Sequence, residues 1–312
     1  MSSVEVQSVN QTLDVSSSYA SNNQSSSKHT NKSKPLVDKI RSIIMEMYSD
    51  DPELFDPIDI ERVKVDDWYI KRFLLAQDRN VKSASNMLVG SLKWRKSYGV
   101  NHLDLRSFPS EIYRLGAFFV YEHDKEGHEV LYVRANLFRR SKDLRPILVQ
   151  YGVAIGCQVE KASKNGVVCV IDFKNLSLAH VDLEIMRIII STIVNHFPLF
   201  VQRFFVCNIP SVLQMISSLV INLIPSSGRN RLTFVDNKEL TKYIDSDKIP
   251  ECLGGSCKKP FKGSGVVPNG CPNFLEFSKT IGWTNQQYRS IYKTFKSIFE
   301  SEGIEPMPEP VD

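Results

Sequence analysis

Apolar residues recur along this chain with two different spacings, one before residue 100 and the other after residue 116. In the first part they return at helical spacing, as at positions 36, 40, 43, 44 and 47, which predicts an amphipathic helix. Two further helices are predicted, one around Trp68 to Ala76 and one from Val81 to Tyr98, the latter ended by Gly99. The pattern therefore predicts a helical unit over residues 36–100.

The second part of the chain alternates strand-like and helix-like segments. The stretch AFFVYEHDKEGHEVLYVRA predicts two strands joined by a turn at DKEG, and GVVCVIDF, RFFVCNI and RLTFV predict three more. Continuous apolar runs of this kind are typical of strands buried on both faces of a parallel sheet. With helices predicted at about 141–163 and 180–195, the pattern indicates an α/β domain with a mixed, mostly parallel five-stranded sheet.

One apolar segment stands apart because residues 204–228 contain no charged side chain. Pro210 and Pro225 confine any helix here to about fourteen residues, which is too short to cross a bilayer. On a helical wheel the polar residues Gln214, Ser217, Ser218 and Asn222 gather on one narrow side. Taken alone, this pattern favours a helix enclosed in a protein core.

The two ends of the chain differ from its middle. Residues 1–34 are rich in Ser and Asn and lack an apolar signal region, so we predict a disordered tail and no secretory signal. Residues 258–312 predict a Gly/Pro-rich linker and an amphipathic helix that Thr284 caps and that carries one aromatic stripe. Two alternatives remain for this helix: it packs on the main domain, or it lies on a membrane or a partner protein.

Charge and cysteine content narrow the classes of function. The 312 residues carry a formal net charge of +4, which is too small for the concentrated basic face of a nucleic-acid-binding protein. The six cysteines form no C-x-x-C pair, and several lie in apolar runs where a thiol packs as a small hydrophobe. We therefore expect no nucleic-acid partner, reduced cysteines and a cytoplasmic protein.

The sequence contains no catalytic motif that identifies an enzyme. The chain has no phosphate-binding Gly-rich loop and no G-x-S-x-G motif. The polar residues 122–124 and His128 flank a predicted hairpin turn, and Asp172 at the end of a strand is more typical of a turn cap than of a catalytic acid. We predict that the protein is not an enzyme and has no catalytic residues, no metal site and no cofactor.

Several stretches together resemble one family. RFLLAQDRNVKSASNMLVGSLKWRKSYGV, DKEGHEVLYVR, VVCVIDFKNLS, HFPLFVQRFFVCNIPSVLQ and DSDKIPECLGGS follow the order and spacing of the CRAL-TRIO lipid-binding and lipid-transfer proteins over residues 38–257. That family includes the yeast phosphatidylinositol-transfer protein and carriers of tocopherol and retinal. The segments ERVKVDDWYI and VDLEIMRIIISTIVNHFP look closest to the CRAL-TRIO domain of motile-sperm-domain-containing proteins. The resemblance implies a CRAL-TRIO N-terminal helical subdomain over residues 36–100 and a lipid-binding domain over residues 109–257.

The resemblance also implies roles for particular residues. In this family the helix corresponding to residues 211–224 is a mobile gate over an apolar cavity, so the gate is predicted to use Val212, Leu213, Ile216, Leu219, Val220 and Leu223. Arg231 aligns with a basic residue that contacts inositol phosphate in the phosphatidylinositol-binding members, and Arg229 lies close to it, so both are predicted to contact the phosphate of a headgroup or of the membrane. The alternative is that both flank a strand end and meet solvent. Val167 and Cys169 replace polar residues that hold a choline headgroup, and are predicted to form the pocket wall.

The chain also departs from the family pattern. Leu199 and Phe200 stand where the inositol-binding members have an acidic segment, and Leu75 and Gln77 replace basic residues of the N-terminal signature. The ligand is therefore left open between a phospholipid such as phosphatidylinositol and a more apolar lipid.

Two functions follow as expectations. The first is a cytoplasmic, peripherally membrane-associated protein that binds one hydrophobic ligand in an internal cavity and exchanges it at membranes, as a lipid-transfer or lipid-presenting protein. The alternative is a protein-interaction adaptor in trafficking or small-GTPase signalling that uses the same fold without transferring lipid. The sequence identifies no protein partner.

Overall fold

The structure is a computed structural model that describes residues 26–163, 166–177, 180–210, 221 and 226–310. The chain divides into two compact units, residues 1–86 and 87–312. The division falls inside a helix that the sequence predicted as one element, Val81–Tyr98. The helical character predicted for the N-terminal part is confirmed, whereas the bounds predicted for it, residues 36–100, stay a prediction.

The first unit is helical. It contains α1 (Ser26–Asp50), α2 (Pro57–Val65), α3 (Asp67–Ala76) and the beginning of α4 (Val81–Tyr98). The helix α1 begins at Ser26, eight residues before the end of the predicted tail at residue 34, whereas residues 1–25 lie outside the described part of the chain. The core is formed by apolar residues from α1, α2, α3 and the segment between α1 and α2, with Ile40, Ile44, Phe55, Val63, Ile70 and Phe73 among those fully enclosed.

The helix α2 was not predicted from the sequence. Asp56 begins it: the carboxylate accepts a hydrogen bond from the Ile58 amide at 2.8 Å, and Pro57 occupies the first helical position. Asp66 both ends α2, donating its amide to the Arg62 carbonyl, and begins α3, where its carboxylate accepts from the Tyr69 amide. A single residue therefore joins the two helices.

The second unit is built on a five-stranded sheet. After the short helix α5 (Ser110–Leu115) come β1 (Phe118–His123), β2 (Glu129–Arg134), α6 (Leu144–Ala162), β3 (Val167–Asp172), α7 (Leu183–His196), β4 (Val201–Cys207), α8 (Ser226–Arg229) and β5 (Leu232–Val235). The strands lie in the order β1-β2-β3-β4-β5, with β1 antiparallel to β2 and the other pairs parallel. The predicted mixed, mostly parallel sheet is confirmed.

Each face of this sheet has its own core. On one face Val167 and Cys169 belong to a buried cluster with residues of α6, and on the other Val168 and Val170 pack with Phe205. The second face is closed by α9 (Asn237–Leu240) and the segment after it, through Leu240, Ile244, Ile249 and Leu253. Burial on both faces explains why the strands read as continuous apolar runs.

The C-terminal segment packs into the first of these two cores. It contains α10 (Phe274–Thr280) and α11 (Asn285–Glu302), and Thr284 caps α11 as predicted, its hydroxyl accepting a hydrogen bond from the Gln287 amide. The aromatic stripe of α11 is buried in the same cluster as α6, through Tyr288, Ile291, Phe295, Ile298 and Phe299. Of the two alternatives for this helix, the structure shows packing on the main domain.

An ion cluster ties the end of α11 to the sheet. The Glu302 carboxylate accepts hydrogen bonds from Arg134 Nη2 at 2.8 Å and from Lys262 Nζ at 2.9 Å. Burial acts to raise the pKa of Glu302, but the hydrogen bonds from Lys262 and Arg134 outweigh it and lower the pKa. The last turn of α11 is therefore held by charge-assisted bonds as well as by apolar burial.

Candidate functional site

The helix α7 is apolar but only half-buried. Its sequence is LEIMRIIISTIVNH, yet none of its fourteen residues is fully buried, in contrast to the neighbouring α6, which fully buries residues along its whole length. The polar residues Glu184, Arg187, Ser191 and Asn195 follow at helical spacing and define one face. A helix of this composition normally buries its opposite face in a core, so an accessible apolar face requires a different explanation.

The middle of that apolar face is Ile189. Met186, Ile189 and Ile193 lie three and four residues apart, opposite the polar face. Ile193 packs against the buried cluster of the domain, whereas Ile189 is 42% exposed. A large apolar side chain at the centre of an apolar face is therefore turned towards open space, as expected for the wall of a binding chamber.

A second accessible apolar surface lies at the carboxyl ends of β4 and β5. Val206 and Phe234 are register partners on these neighbouring strands, and Phe234 is 51% exposed. Both line a cavity of about 380 Å³. The other lining residues are Asn208, Ile209, Val235, Asp236 and Glu239. Ligands in open α/β sheets bind at this edge of the sheet, and the volume falls within the range of small-molecule sites.

The two acidic residues that line this cavity, Asp236 and Glu239, each accept a hydrogen bond from the other's backbone amide. Asp236 accepts a hydrogen bond from the Glu239 amide at 2.7 Å, and Glu239 accepts one from the Asp236 amide at 3.3 Å. This reciprocal capping begins α9. The two carboxylates therefore have a structural role at the rim of the cavity.

Val167 and Cys169, the predicted pocket wall, lie on the sheet face that also carries Phe204 of β4. Both are buried, and burial raises the pKa of the Cys169 thiol to about 12. The thiol therefore stays neutral and packs as a small hydrophobe. Their position on this face is compatible with an apolar wall, and contact with a ligand stays a prediction.

Arg229 and Arg231, the predicted headgroup residues, lie at the opposite edge of the sheet. Arg231 Nη1 donates to the Val201 carbonyl at 2.6 Å, and the Arg231 carbonyl accepts from the Phe204 amide. Arg231 is half-buried and Arg229 is exposed. Arg231 directly precedes β5 and lies three residues before Phe234 of the 380 Å³ cavity, so the two positions are about 10 Å apart along the strand.

The predicted gate cannot be compared with the structure. Val212, Leu213, Ile216, Leu219, Val220 and Leu223 lie outside the described residues. So does the chamber that was predicted between them and the sheet. Both remain predictions.

The residues considered for catalysis have structural contacts. Asp172 accepts hydrogen bonds from the Lys174 amide at 3.0 Å and from Asn208 Nδ2 at 2.8 Å, which is the predicted turn cap. Asp124 accepts from the His128 and Glu126 amides within the β1–β2 hairpin. Over the described residues no three His, Cys, Asp or Glu side chains come together as metal ligands, and no helix is long and apolar enough to cross a membrane.

The sequence reasoning missed what holds α7 in place. At its N-terminal end Asp182, the N-cap, accepts a hydrogen bond from Arg145 Nη2 at 3.0 Å. At its C-terminal end His196 stacks on Trp94, with ring centroids 3.9 Å apart and planes 6° apart. The isoleucine run in the sequence indicated the apolar face of α7. No local sequence pattern, however, indicates that Arg145 pairs with Asp182 or that Trp94 stacks on His196, because the partners are far apart in the chain.

Comparisons with known proteins agree with this architecture. Residues 113–255 match the family model of the CRAL/TRIO domain. The chain contains a CRAL/TRIO domain. The predicted family and fold class are thereby confirmed, whereas the finer likeness to motile-sperm-domain-containing proteins stays a prediction.

Relatives and one solved structure extend the CRAL/TRIO match. The chain is 26% identical over 227 residues to Protein real-time of Drosophila pseudoobscura pseudoobscura, covering 64% of this chain and 33% of the relative. It is 23% identical over 265 residues to the phosphatidylinositol transfer protein CSR1 of Eremothecium gossypii, covering 77% of this chain and 59% of that protein. The crystal structure of Sfh5 superposes with a TM-score of 0.59 at 16% identity, over 84% of this chain and 98% of that one.

The likeness to Sfh5 establishes the fold alone at this level of identity. Among the curated relatives, the matched part spans between a third and about three fifths of their own length.

Proposed function

We propose that this protein binds a single hydrophobic ligand, a phospholipid or another lipid, against α7 and the sheet and exchanges it at membranes. It would act in the cytoplasm and associate with the membrane surface transiently. The observation that carries the proposal is Ile189, the centre of the apolar face of α7, which is 42% exposed.

The physical argument rests on the cost of exposed apolar surface. A helix that leaves its apolar face open loses the stabilisation that burial would supply, about 25 cal/mol per Å². A lipid chain that covers Ile189, Met186 and the partly exposed Phe234 recovers part of this free energy. Because the same chain is equally well covered in a bilayer, uptake and release are close to balance, as carrier function requires.

The comparisons support the proposal from a second direction. CSR1, which is 23% identical to this chain over 265 residues, is named a phosphatidylinositol transfer protein. The family match and the Sfh5 fold place a comparable sheet and helices in this chain. Lipid transfer by this protein is our inference from this similarity together with the open face of α7.

The decisive experiment is lipid extraction and native mass spectrometry of the protein purified from a eukaryotic host. We expect one lipid molecule for each chain in the wild type. In Ile189→Asp the bound mass should be lost, since a carboxylate in the wall would be desolvated by the ligand. Ile281→Asp is the matched control, because Ile281 is also 42% exposed but lies at the end of α10, and it should retain the ligand.

Two results would overturn the proposal. One is a wild-type protein that emerges without lipid and takes up none from vesicles of phosphatidylcholine and phosphatidylinositol. The other is full lipid occupancy in Ile189→Asp. A second variant, Ile189→Trp, keeps the face apolar and fills the space, so it should exclude the ligand without adding charge.

A further inference from the structure

The helix α7 makes polar contacts with its domain at one end and aromatic contacts at the other. At the N-terminal end, Arg145 of α6 contacts two acidic side chains: Nη2 lies 3.0 Å from Asp182 Oδ2 and Nη1 lies 2.7 Å from Glu184 Oε2. Asp182 also accepts hydrogen bonds from the Glu184 and Ile185 amides. One arginine therefore fixes the first turn of α7 to α6.

At the C-terminal end the contact is aromatic. His196 lies flat on Trp94 of α4, and Trp94 stacks in turn on Tyr98 with centroids 5.1 Å apart. Phe197, which follows α7, meets the edge of Trp94 at 6.4 Å and is buried. Stacked aromatic pairs stabilise a contact beyond the area they bury.

Between these ends, the apolar residues of α7 are mostly half-buried, and none is fully enclosed. Every residue of α7 retains accessible surface, and Ile193 is the residue that packs against the buried cluster. Segments with few buried contacts open locally at a lower free energy than the core that surrounds them. The helix can therefore leave the domain when its end contacts break, without unfolding the sheet.

The connection from α7 to β4 contains a strained residue. Leu199 has a φ of 56°, a left-handed conformation that leucine rarely adopts. Its carbonyl accepts a hydrogen bond from Gln202 Nε2 at 2.9 Å, and the flanking Phe197 and Phe200 are buried. Strain held in this way by the surroundings is common at hinges and switch segments.

We propose that α7 is a movable wall of the ligand chamber: it swings about the Leu199 connection to admit and release the ligand, and Arg145 and Trp94 set its rate as positioning residues. This inference rests on the proposed function, because it assumes that a ligand lies against α7. It adds a moving element other than the predicted gate at residues 211–224.

The test combines two measurements on the full chain. Hydrogen–deuterium exchange detected by mass spectrometry reports the opening of α7 without any ligand. Uptake and release of a pyrene-labelled phosphatidylcholine from phosphatidylcholine vesicles reports exchange. The variants are Arg145→Ala and Trp94→Leu, the latter retaining apolar bulk, and the control is Arg106→Ala, which removes an exposed ion pair with Asp104 remote from α7.

We expect exchange of the α7 amides to rise about threefold to tenfold in Arg145→Ala and Trp94→Leu, with α6 amides unchanged. Release and uptake of the pyrene lipid should accelerate by a similar factor, with the amount bound at saturation unchanged. Arg106→Ala should match the wild type in both measurements.

The outcomes separate the two proposals. If α7 amides exchange only together with those of the sheet, or if faster α7 exchange leaves lipid exchange unchanged, the movable wall is overturned while lipid binding stands. If the wild type takes up no pyrene lipid and carries no lipid from its host, the proposed function is wrong, and so is the role of α7 as a movable wall. If Trp94→Leu does not fold, the Arg145→Ala variant alone tests whether α7 is a movable wall.

Discussion

The imidazole of His196 lies parallel to the indole of Trp94 at 3.9 Å, and its Nδ1 atom is buried with no hydrogen-bond partner among the described residues. Burial lowers the pKa of His196 to about 4, and the neighbouring Arg95 lowers it in the same direction. Arg95 is itself buried, 4.0 Å from Glu160 of α6. The stack is therefore built around a neutral imidazole.

Acid should loosen the C-terminal end of α7. His196 binds its proton less readily in the closed helix than in an open one, where its pKa returns to about 6.5. The stabilisation is present above pH 6.5 and is lost as the pH falls towards 4. Opening of α7, measured by hydrogen exchange corrected for intrinsic rates, should increase about tenfold between pH 7.5 and 5.5.

His196→Phe is the control for this pH dependence. It retains an aromatic ring on Trp94 and removes the titrating group, so α7 opening should become independent of pH between 5.5 and 7.5. An unchanged pH response in this variant would assign the effect to another group. Tyr98, the other member of the stack, stays neutral in this range because burial raises its pKa.

Removing the carboxylate of Glu302 should destabilise the domain. Glu302→Gln leaves Arg134, whose side chain is 10% exposed, without its ionic partner, so we expect a loss of about 2 kcal/mol in the free energy of unfolding. Urea unfolding followed by circular dichroism measures this loss. Glu300→Gln, an exposed position on the same helix, should have almost no effect.

The stabilisation of the fold by the Glu302 ion cluster should decrease in acid. The pKa of Glu302 is lowered from 4.5, so its contribution is present above pH 4.5 and is lost as the pH falls below that value. The stability difference between wild type and Glu302→Gln should therefore shrink in acid. A difference that stays constant down to pH 3 would show that the carboxylate does not act through its charge.

The cysteines should fall into two classes of reactivity. Cys157, Cys169 and Cys207 are buried, and burial raises the pKa of their thiols to about 11, 12 and 12. Alkylation with iodoacetamide near pH 8, mapped by peptide mass spectrometry, should modify them only after denaturation. The remaining cysteines, which are half-buried at positions 252, 257 and 271, should react first in the folded protein.

The two predicted headgroup arginines should respond differently to charge reversal. Arg229 is exposed, so Arg229→Glu should weaken binding to vesicles that contain phosphatidylserine by about tenfold, and added salt should reduce the difference. Vesicle co-sedimentation measures this. Unchanged binding would remove Arg229 from a membrane role.

Arg231 has a structural contact, the hydrogen bond from Nη1 to the Val201 carbonyl. Arg231→Glu places a carboxylate next to that carbonyl and should lower the melting temperature. Arg231→Lys retains the charge, so it separates the loss of the hydrogen bond from the loss of the charge. A melting temperature unchanged in both variants would show that the hydrogen bond is dispensable.

The elements that follow from local pattern were predicted well. The five strands and the helices α6 and α7 are encoded in apolar runs and helical spacing, and Thr284 and Gly99 mark helix ends as expected. The helix α2 was missed because it is only nine residues long and buries only two hydrophobic residues, Ile60 and Val63. The signal that was available is the Asp56-Pro57 start.

The site was harder to predict because its contacts join distant parts of the sequence. The stack of His196 on Trp94 and the pairing of Arg145 with Asp182 depend on how α4, α6 and α7 pack. The accessibility of Ile189 is also a tertiary property, since the same helix in a closed core would bury it. Arg231 looked like a phosphate ligand, and no sequence pattern indicates its bond to Val201.

The order of the strands in the sheet equals their order in the chain, which has a consequence for biosynthesis. As the polypeptide leaves the ribosome, each strand can join the growing edge and none must be inserted between two that are already paired. Tyr288 and Phe299 of α11 emerge after all five strands, so one face of the new sheet stays uncovered until α11 is synthesised. A chaperone that shields this face during that interval would protect the nascent chain from aggregation.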